Sequence, residues 1–281
     1  MSQMNGKKMK ILMKYVVLVV VGGIMIYPLI WMVGASFKAN SEIFTEIGFW
    51  PKNPTLNGYQ SGIKGYAGLS LLQAMKNTYT IVLPKVAVTV FSVIITSYGF
   101  TRFHFKGRNV MFAVLMSTLF FPQVVLNVPQ YILFNQIGWT NSYLPIIVPA
   151  AFAGDTYFVF MLIQFLRGIP IELEEAAYID GCGTWTTLWK IICPVLKPAI
   201  VSCALFQFMW VSNDFMGPLL YVQSNESYPV SIFLKMSMDE TGFEWNKILA
   251  MSIISIIPSL LVFFLAQDSF VEGIVSGGVK G

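Results

Sequence analysis

Residues 167–197 read RGIPIELEEAAYIDGCGTWTTLWKIICPVLK, and they lie between two apolar runs, about Leu144–Leu166 and about Ala199–Val222. Each run is near the roughly 20 residues that carry a helix across the hydrocarbon core of a bilayer. The segment between them is too long for a plain helix–helix link, and its composition is that of two short helices. Pro170 suits a first helical position. Glu172, Glu174 and Glu175 follow in the first turns, where carboxylates favour the positive end of the helix dipole. Ala176 and Ala177 continue the helix, and Gly181 and Gly183 end it. Thr184 is placed to cap a second helix running to about Cys193, and Pro194 and Pro198 turn the chain back toward the membrane. The pattern predicts an amphipathic hairpin on one membrane face. Ala176, Ala177 and Gly181 leave a surface poor in side chains, where another protein can approach the backbone. Glu175 offers that partner a charge, and Trp185, Leu188, Trp189 and Ile192 are spaced to bury one face of the second helix. A helix resting in lipid headgroups is the plainer alternative.

The rest of the chain agrees with a membrane setting. Of its 281 residues, 56% are hydrophobic and only 11% are charged, and the mean hydropathy is +0.66. A water-facing globule needs about a quarter charged residues. Beyond the two runs already named, similar runs lie at about Tyr15–Gly34, Tyr79–Phe100, Val110–Val128 and Ile248–Ala266. The fold class expected is therefore an all-α integral membrane protein with six transmembrane helices. It divides into a cytoplasmic N-terminus (1–14), a transmembrane domain (15–266, with the hairpin at about 167–197) and a C-terminal tail (267–281). The first run follows Lys7, Lys8, Lys10 and Lys14, is too long for a cleavable signal, and reads as a retained anchor.

Charge sets the orientation. Cytoplasmic loops carry an excess of Lys and Arg. The short loop with Arg102, Lys106 and Arg108 is the densest in positive charge, and it falls on the same side as the N-terminal lysines, Arg167, Lys190, Lys197 and Lys280. Both termini and the hairpin are expected inside. The segments expected outside, Ala35–Thr78 and Gln223–Lys247, offer surface to a soluble partner.

Several function classes are disfavoured. A net charge of +4, dispersed along the chain, does not suggest nucleic acid. His104 is the single histidine, and Cys182, Cys193 and Cys203 show no metal-ligand spacing, so neither a metal site nor catalytic residues are expected. No G-x-x-x-x-G-K-[ST] phosphate loop occurs, so energy from ATP would have to come through another chain. No internal repeat of the kind carried by many secondary transporters is visible.

Polar residues inside apolar runs are costly in lipid and tend to face a cavity or a partner helix. On the third run these are Gln123, Asn127 and Gln130, with Tyr131 beside them. On the fifth they are Gln207, Asn213 and Asp214, with Trp210 as an aromatic face. Lys85 and Asp155 are buried-charge suspects that could pair across helices. As a set, these neutral donors, acceptors and rings suit a polyhydroxylated ligand. Phe120 and Phe121 are further stacking candidates.

The hairpin also carries a resemblance. Glu175-Ala176-Ala177, three residues, Gly181, nine residues, Ile191 and then Pro194 resembles the motif E-A-A-x3-G-x9-I-x-L-P of ABC importer permeases, with Cys193 where Leu is usual. Tyr27-Pro28-Leu29, Ala35-Ser36-Phe37-Lys38, Arg102–Arg108, Pro122-Gln123, Pro129-Gln130, Asn213-Asp214-Phe215 and the closing Gly278-Val279-Lys280-Gly281 extend the likeness to carbohydrate-type permeases, nearest to the second permease subunit of maltose-type systems. The resemblance implies an ATP-driven importer subunit translocating a sugar or oligosaccharide. Glu174, Glu175, Ala176, Ala177, Asp180, Gly181, Ile191 and Pro194 would couple it to a separate ATPase, with Glu175 and Gly181 making the critical contacts. Gly278, Lys280 and Gly281 would reach the ATPase through the tail. The implied partners are a second, different permease subunit, two ATPase subunits that bind the ATP and magnesium, an extracytoplasmic solute-binding protein, and lipid. A permease for another solute such as a polyol phosphate or a peptide, a stand-alone secondary transporter or channel, and a membrane-embedded enzyme are the alternatives.

Overall fold

The computed structural model describes residues 2–46, 48–65, 68–240 and 244–278, with side chains described for 8–46, 48–65, 68–238 and 244–268. Among these the regular structure is helical: α1 (Ser2–Ser36), α2 (Asn57–Lys64), α3 (Leu71–Arg102), α4 (Arg108–Ser117), α5 (Gln123–Gln136), α6 (Leu144–Ile147), α7 (Thr156–Arg167), α8 (Glu172–Ile179), α9 (Thr184–Thr187), α10 (Cys193–Val195), α11 (Lys197–Ser212), α12 (Met216–Tyr221), α13 (Val230–Glu240) and α14 (Trp245–Gly278). Among the described residues four stretches are long and apolar enough to cross a membrane: Lys8–Ser36, Leu71–Arg102, Leu144–Arg167 and Trp245–Asp268. The total is six if each of two bent pairs is one span, with Arg108–Phe120 meeting Gln123–Gln136 at 106° and Thr184–Val195 meeting Lys197–Ser212 at 79°.

The chain forms two compact units, residues 1–72 with 233–256 and residues 73–232 with 257–281. In the first, α1 is apolar on every side and none of its apolar window is buried in protein, as a helix solvated by lipid should be. Past its end the chain folds back tightly. A Cβ on Gly34 would collide with the Phe49 carbonyl oxygen, so only glycine fits. Lys38 is fully buried, and its Nζ donates to the carbonyls of Glu46 (2.8 Å) and Gly48 (3.0 Å). Lys38, in a segment expected outside, is thus a clasp that closes the loop. Gly58 on α2 sits against the Asn246 backbone, where a Cβ would come within 2.6 Å of its carbonyl oxygen.

The second unit has two apolar cores. One joins Val93, Ile94, Phe158, Leu162, Leu166, Leu188, Ile192 and Cys203. The other joins Ile81, Val82, Phe134, Ile146, Phe208, Val211 and Tyr221. Three expectations are corrected here. The third apolar run is not one helix: it breaks at Phe121-Pro122, because Pro122 has no N–H to give the preceding turn and Phe121 is extended (φ −80°, ψ 125°). The fourth run is interrupted by a 3-10 turn at Val148–Phe152 and by Ala153 in the left-handed region (φ 57°). The fifth helix stops at Ser212 rather than near Val222; it restarts as α12, where the Asp214 carboxylate accepts from the Gly217 N–H at 3.1 Å. The final helix runs on through Gly278, so residues 267–278 of the expected tail are helical, while Lys280 and Gly281 lie outside the described residues.

Candidate functional site

The breaks in the third and fourth runs face one cavity. Its volume is about 720 Å³, and its lining includes Thr118, Phe121, Gln123, Asn127 and Gln130 from one broken run and Gly154, Asp155, Thr156, Tyr157 and Phe158 from the other. Lys85, Trp210, Asp214, Leu220 and Tyr221 complete much of the wall. Backbone freed by a break inside a membrane needs new partners. Ser92 on α3 supplies them: its Oγ donates to the Ala151 carbonyl and accepts from the Ala153 N–H, both at 2.9 Å. Within the cavity lining the Thr118 and Thr156 hydroxyls lie 3.0 Å apart, within hydrogen-bonding distance.

Asp155 precedes the first turn of α7 but its carboxylate does not cap that helix. Its Oδ2 instead accepts from Thr89 Oγ1 at 2.7 Å and from Gln207 Nε2 at 2.8 Å, and Gln207 Nε2 also lies 2.9 Å from Thr89 Oγ1. Gln207 is 1% exposed and Thr89 is fully buried. The three groups tie α3, the start of α7 and α11 together beside the cavity, whose lining includes Asp155. The cross-helix pair suspected between Lys85 and Asp155 does not form among the described residues, although both line the same cavity; the carboxylate is satisfied by neutral donors instead.

Of the sequence candidates for a solute path, Gln123, Asn127, Gln130, Trp210 and Asp214 are brought together in this lining. Gln123 Nε2 reaches Gln130 Oε1 at 3.5 Å. Two are placed elsewhere. Tyr131 stacks on Tyr221 with ring centroids 6.4 Å apart, behind the wall, and Asn213 turns back to donate to the Met209 carbonyl at 2.8 Å. Phe120 also points away, 86% exposed. Tyr157, Phe158 and Trp210 form an aromatic group with centroids 5.1–5.4 Å apart, a face fitted to the C–H side of a sugar ring. Tyr157 and Thr156 were missed in sequence because they sit within an apolar run that gives no sign of its break.

The hairpin forms the second candidate surface. α8 has two faces at the helical spacing: Glu174 and Ala177 are buried, while Glu172, Glu175, Ala176 and Ile179 are exposed. The helix ends in a Schellman arrangement, with Cys182 N–H bonded to the Ala177 carbonyl (2.9 Å) and Gly181 N–H to the Tyr178 carbonyl (3.0 Å). That closure needs a left-handed residue, and Gly181 has φ 81° with nothing within 4 Å of a built Cβ. Asp180 is exposed beside it. Three local expectations shift. α8 begins at Glu172 with Ile171 as the entry residue, so Pro170 precedes the helix. Gly183, not Thr184, precedes α9, because an extended glycine (ψ 164°) already turns the chain there. A π turn at Leu188–Ile192 puts Leu188 and Ile192 in the core but leaves Trp185 61% exposed and Trp189 half-exposed against Phe91. Ile191 and Pro194 follow in the same turn and α10.

Glu174 differs from its neighbour Glu175. It forms an ion pair with Arg102 Nε at the end of α3, and Tyr98 OH donates to its other oxygen at 2.9 Å. Arg102 was read from sequence only as an orienting charge. The single cue to its inward role is its position at the last turn of a long apolar helix.

Known proteins place this geometry. The family model described as binding-protein-dependent transport system inner membrane component matches residues 89–274. The galactooligosaccharides transport system permease protein GanQ of Bacillus subtilis is 31% identical, with 97% of this chain and 96% of that protein covered. The arabinooligosaccharides transport system permease protein AraQ of Halalkalibacterium halodurans is 30% identical, with 92% of each covered. Among solved structures, one chain of a bacterial ABC transporter involved in import of the acidic polysaccharide alginate shares the fold, with a TM-score of 0.80 at 19% identity over 92% of this chain and 95% of that one.

Proposed function

The chain belongs to the family of binding-protein-dependent transport system inner membrane components, and we propose that it conducts a neutral sugar or oligosaccharide as one permease subunit of an ATP-driven importer. The observation that carries the substrate class is the cavity wall. Gln123, Asn127 and Gln130 offer neutral donors and acceptors in the same cavity lining as the rings of Tyr157 and Trp210, the combination a polyhydroxylated ring requires. Relatives named for galactooligosaccharide and arabinooligosaccharide transport support the same class. A phosphorylated solute is less well matched, since anion sites favour several cations and the lining has Lys85 against Asp155 and Asp214.

The exposed face of α8, with Glu175, Ala176 and the Gly181 turn, would seat in a separate ATPase, which binds the ATP and magnesium. Ala177 and Ile191 would hold the hairpin's shape, and Pro194 would turn it into α11. The end of α14 at Gly278, followed by Lys280 and Gly281, would approach the same partner. The excess of Lys and Arg in the loops supports a cytoplasmic position for both termini and the hairpin, and a second, different permease subunit would close the path, with a solute-binding protein delivering from outside. Two ATPase subunits would complete the assembly. Reconstituted in liposomes with its partners, the importer should take up a neutral oligosaccharide only with ATP, and Trp210→Ala or Gln123→Ala should lower uptake about tenfold with the complex intact. Uptake unchanged in both variants would remove the cavity from the path.

A further inference from the structure

The outward face of α8 is accounted for by docking, but its inward face is built as carefully. Glu174 is 4% exposed in a helix whose next residue, Glu175, is open to solvent. A buried carboxylate is retained only where its oxygens are occupied. Here Arg102 Nε donates to Oε1 and Tyr98 OH to Oε2. The same Arg102 uses its Nη2 to donate to the carbonyls of Ile169 (3.0 Å) and Leu166 (3.3 Å). Those carbonyls belong to the end of α7 and the turn leading to α8, where helix geometry leaves acceptors without partners. One guanidinium thus joins the last turn of α3, the end of α7 and the first turn of α8. By contrast, the ion pair of Lys52 with Glu46 has Lys52 85% exposed and joins residues of one loop.

We propose that Tyr98, Arg102 and Glu174 form a latch that makes α8 move as one body with the adjoining ends of α3 and α7, so that Glu174 is a positioning residue inside the chain and not a contact with the ATPase. The proposal rests on the reading of α8 as the docking element. Without the latch, this helix of eight residues would keep only Ala177 buried and its contacts within the hairpin, such as Tyr178 with Thr184, and would tilt under load instead of passing the displacement on. The latch directs it into α3 and α7, which are joined again where Thr89 of α3 bonds the cavity-lining Asp155 at the start of α7.

The test uses the assembled importer in liposomes, with ATP hydrolysis measured with and without its solute-binding protein. Glu174→Ala and Arg102→Met should retain the ATPase subunit while stimulation by the binding protein falls about tenfold, because removing one member of a buried pair strands the other. Tyr98→Phe removes one hydrogen bond and should lower stimulation about twofold. Full stimulation in Glu174→Ala overturns the latch, as does loss of the ATPase subunit from an otherwise intact complex, which would make Glu174 a docking contact. If Glu174→Ala fails to accumulate, Tyr98→Phe decides: a partial fall supports the latch and none overturns it. If the unaltered chain binds no ATPase, the docking reading fails by itself. Amide exchange at residues 172–181 of the isolated chain then reads the latch separately, with protection in the unaltered chain and faster exchange in Tyr98→Phe expected, and equal rates contradicting it.

Discussion

Gly181 shows what a single residue does in the hairpin. Its place in the E-A-A-x3-G spacing is visible in the sequence, but the physical reason is its φ of 81° in the turn that closes α8. Gly181→Ala puts a Cβ into open space yet forces a left-handed backbone, a cost of about 1–2 kcal/mol. Gly181→Asn should cost less, because Asn tolerates that region. Amide exchange of residues 178–182 should rank the chain, then Asn, then Ala, from slowest to fastest; equal exchange would mean that the turn does not depend on the left-handed residue. Asp155 makes the complementary case. Asp155→Leu strands the Thr89 and Gln207 donors and should lower stability by about 1–3 kcal/mol, whereas Asp155→Asn keeps an acceptor and should lose less. Thermal unfolding in detergent checks the order. That Asp155 would be satisfied by neutral groups was not legible, since Thr89 and Gln207 lie far from it in sequence and only the folded chain brings them to its oxygen.

At the scale of elements, apolar length revealed where helices run and concealed where they break. Pro122 could have been an ordinary kink, and Ala153 carries no mark of its left-handed conformation, so both interruptions emerge only from the fold. The breaks are what place Gln123 and Thr156 in one wall. Ser92, which bonds to both Ala151 and Ala153, stabilises the second interruption. Ser92→Ala should leave one donor and one acceptor unsatisfied, lowering stability by about 1–3 kcal/mol and reducing uptake more than a substitution on the lipid face such as Leu83→Ala. Equal effects on uptake would show that the break has no special part in conduction. The hairpin was more legible because its capping glycines, acidic first turn and spaced apolar residues are local signals. Its π turn was not, nor was the exposure of Trp185, which was expected inside with Leu188 and Ile192 and lies outside.

At the scale of the whole molecule, the six spans and the positive loops imply an orientation that native cysteines can report. Cys203 is buried, and Cys193 is partly buried against the same apolar core. Cys182, partly exposed at the end of the hairpin, should therefore take most of an impermeant maleimide, and only in inside-out vesicles. Labelling in right-side-out vesicles would reverse the topology. Assembly is tested by isolating the tagged chain from native membranes in mild detergent and identifying by mass spectrometry what accompanies it. An ATPase subunit, a second permease and a solute-binding protein are expected. A chain that purifies alone and moves solute in liposomes without ATP would contradict the importer reading and leave the helical membrane fold standing.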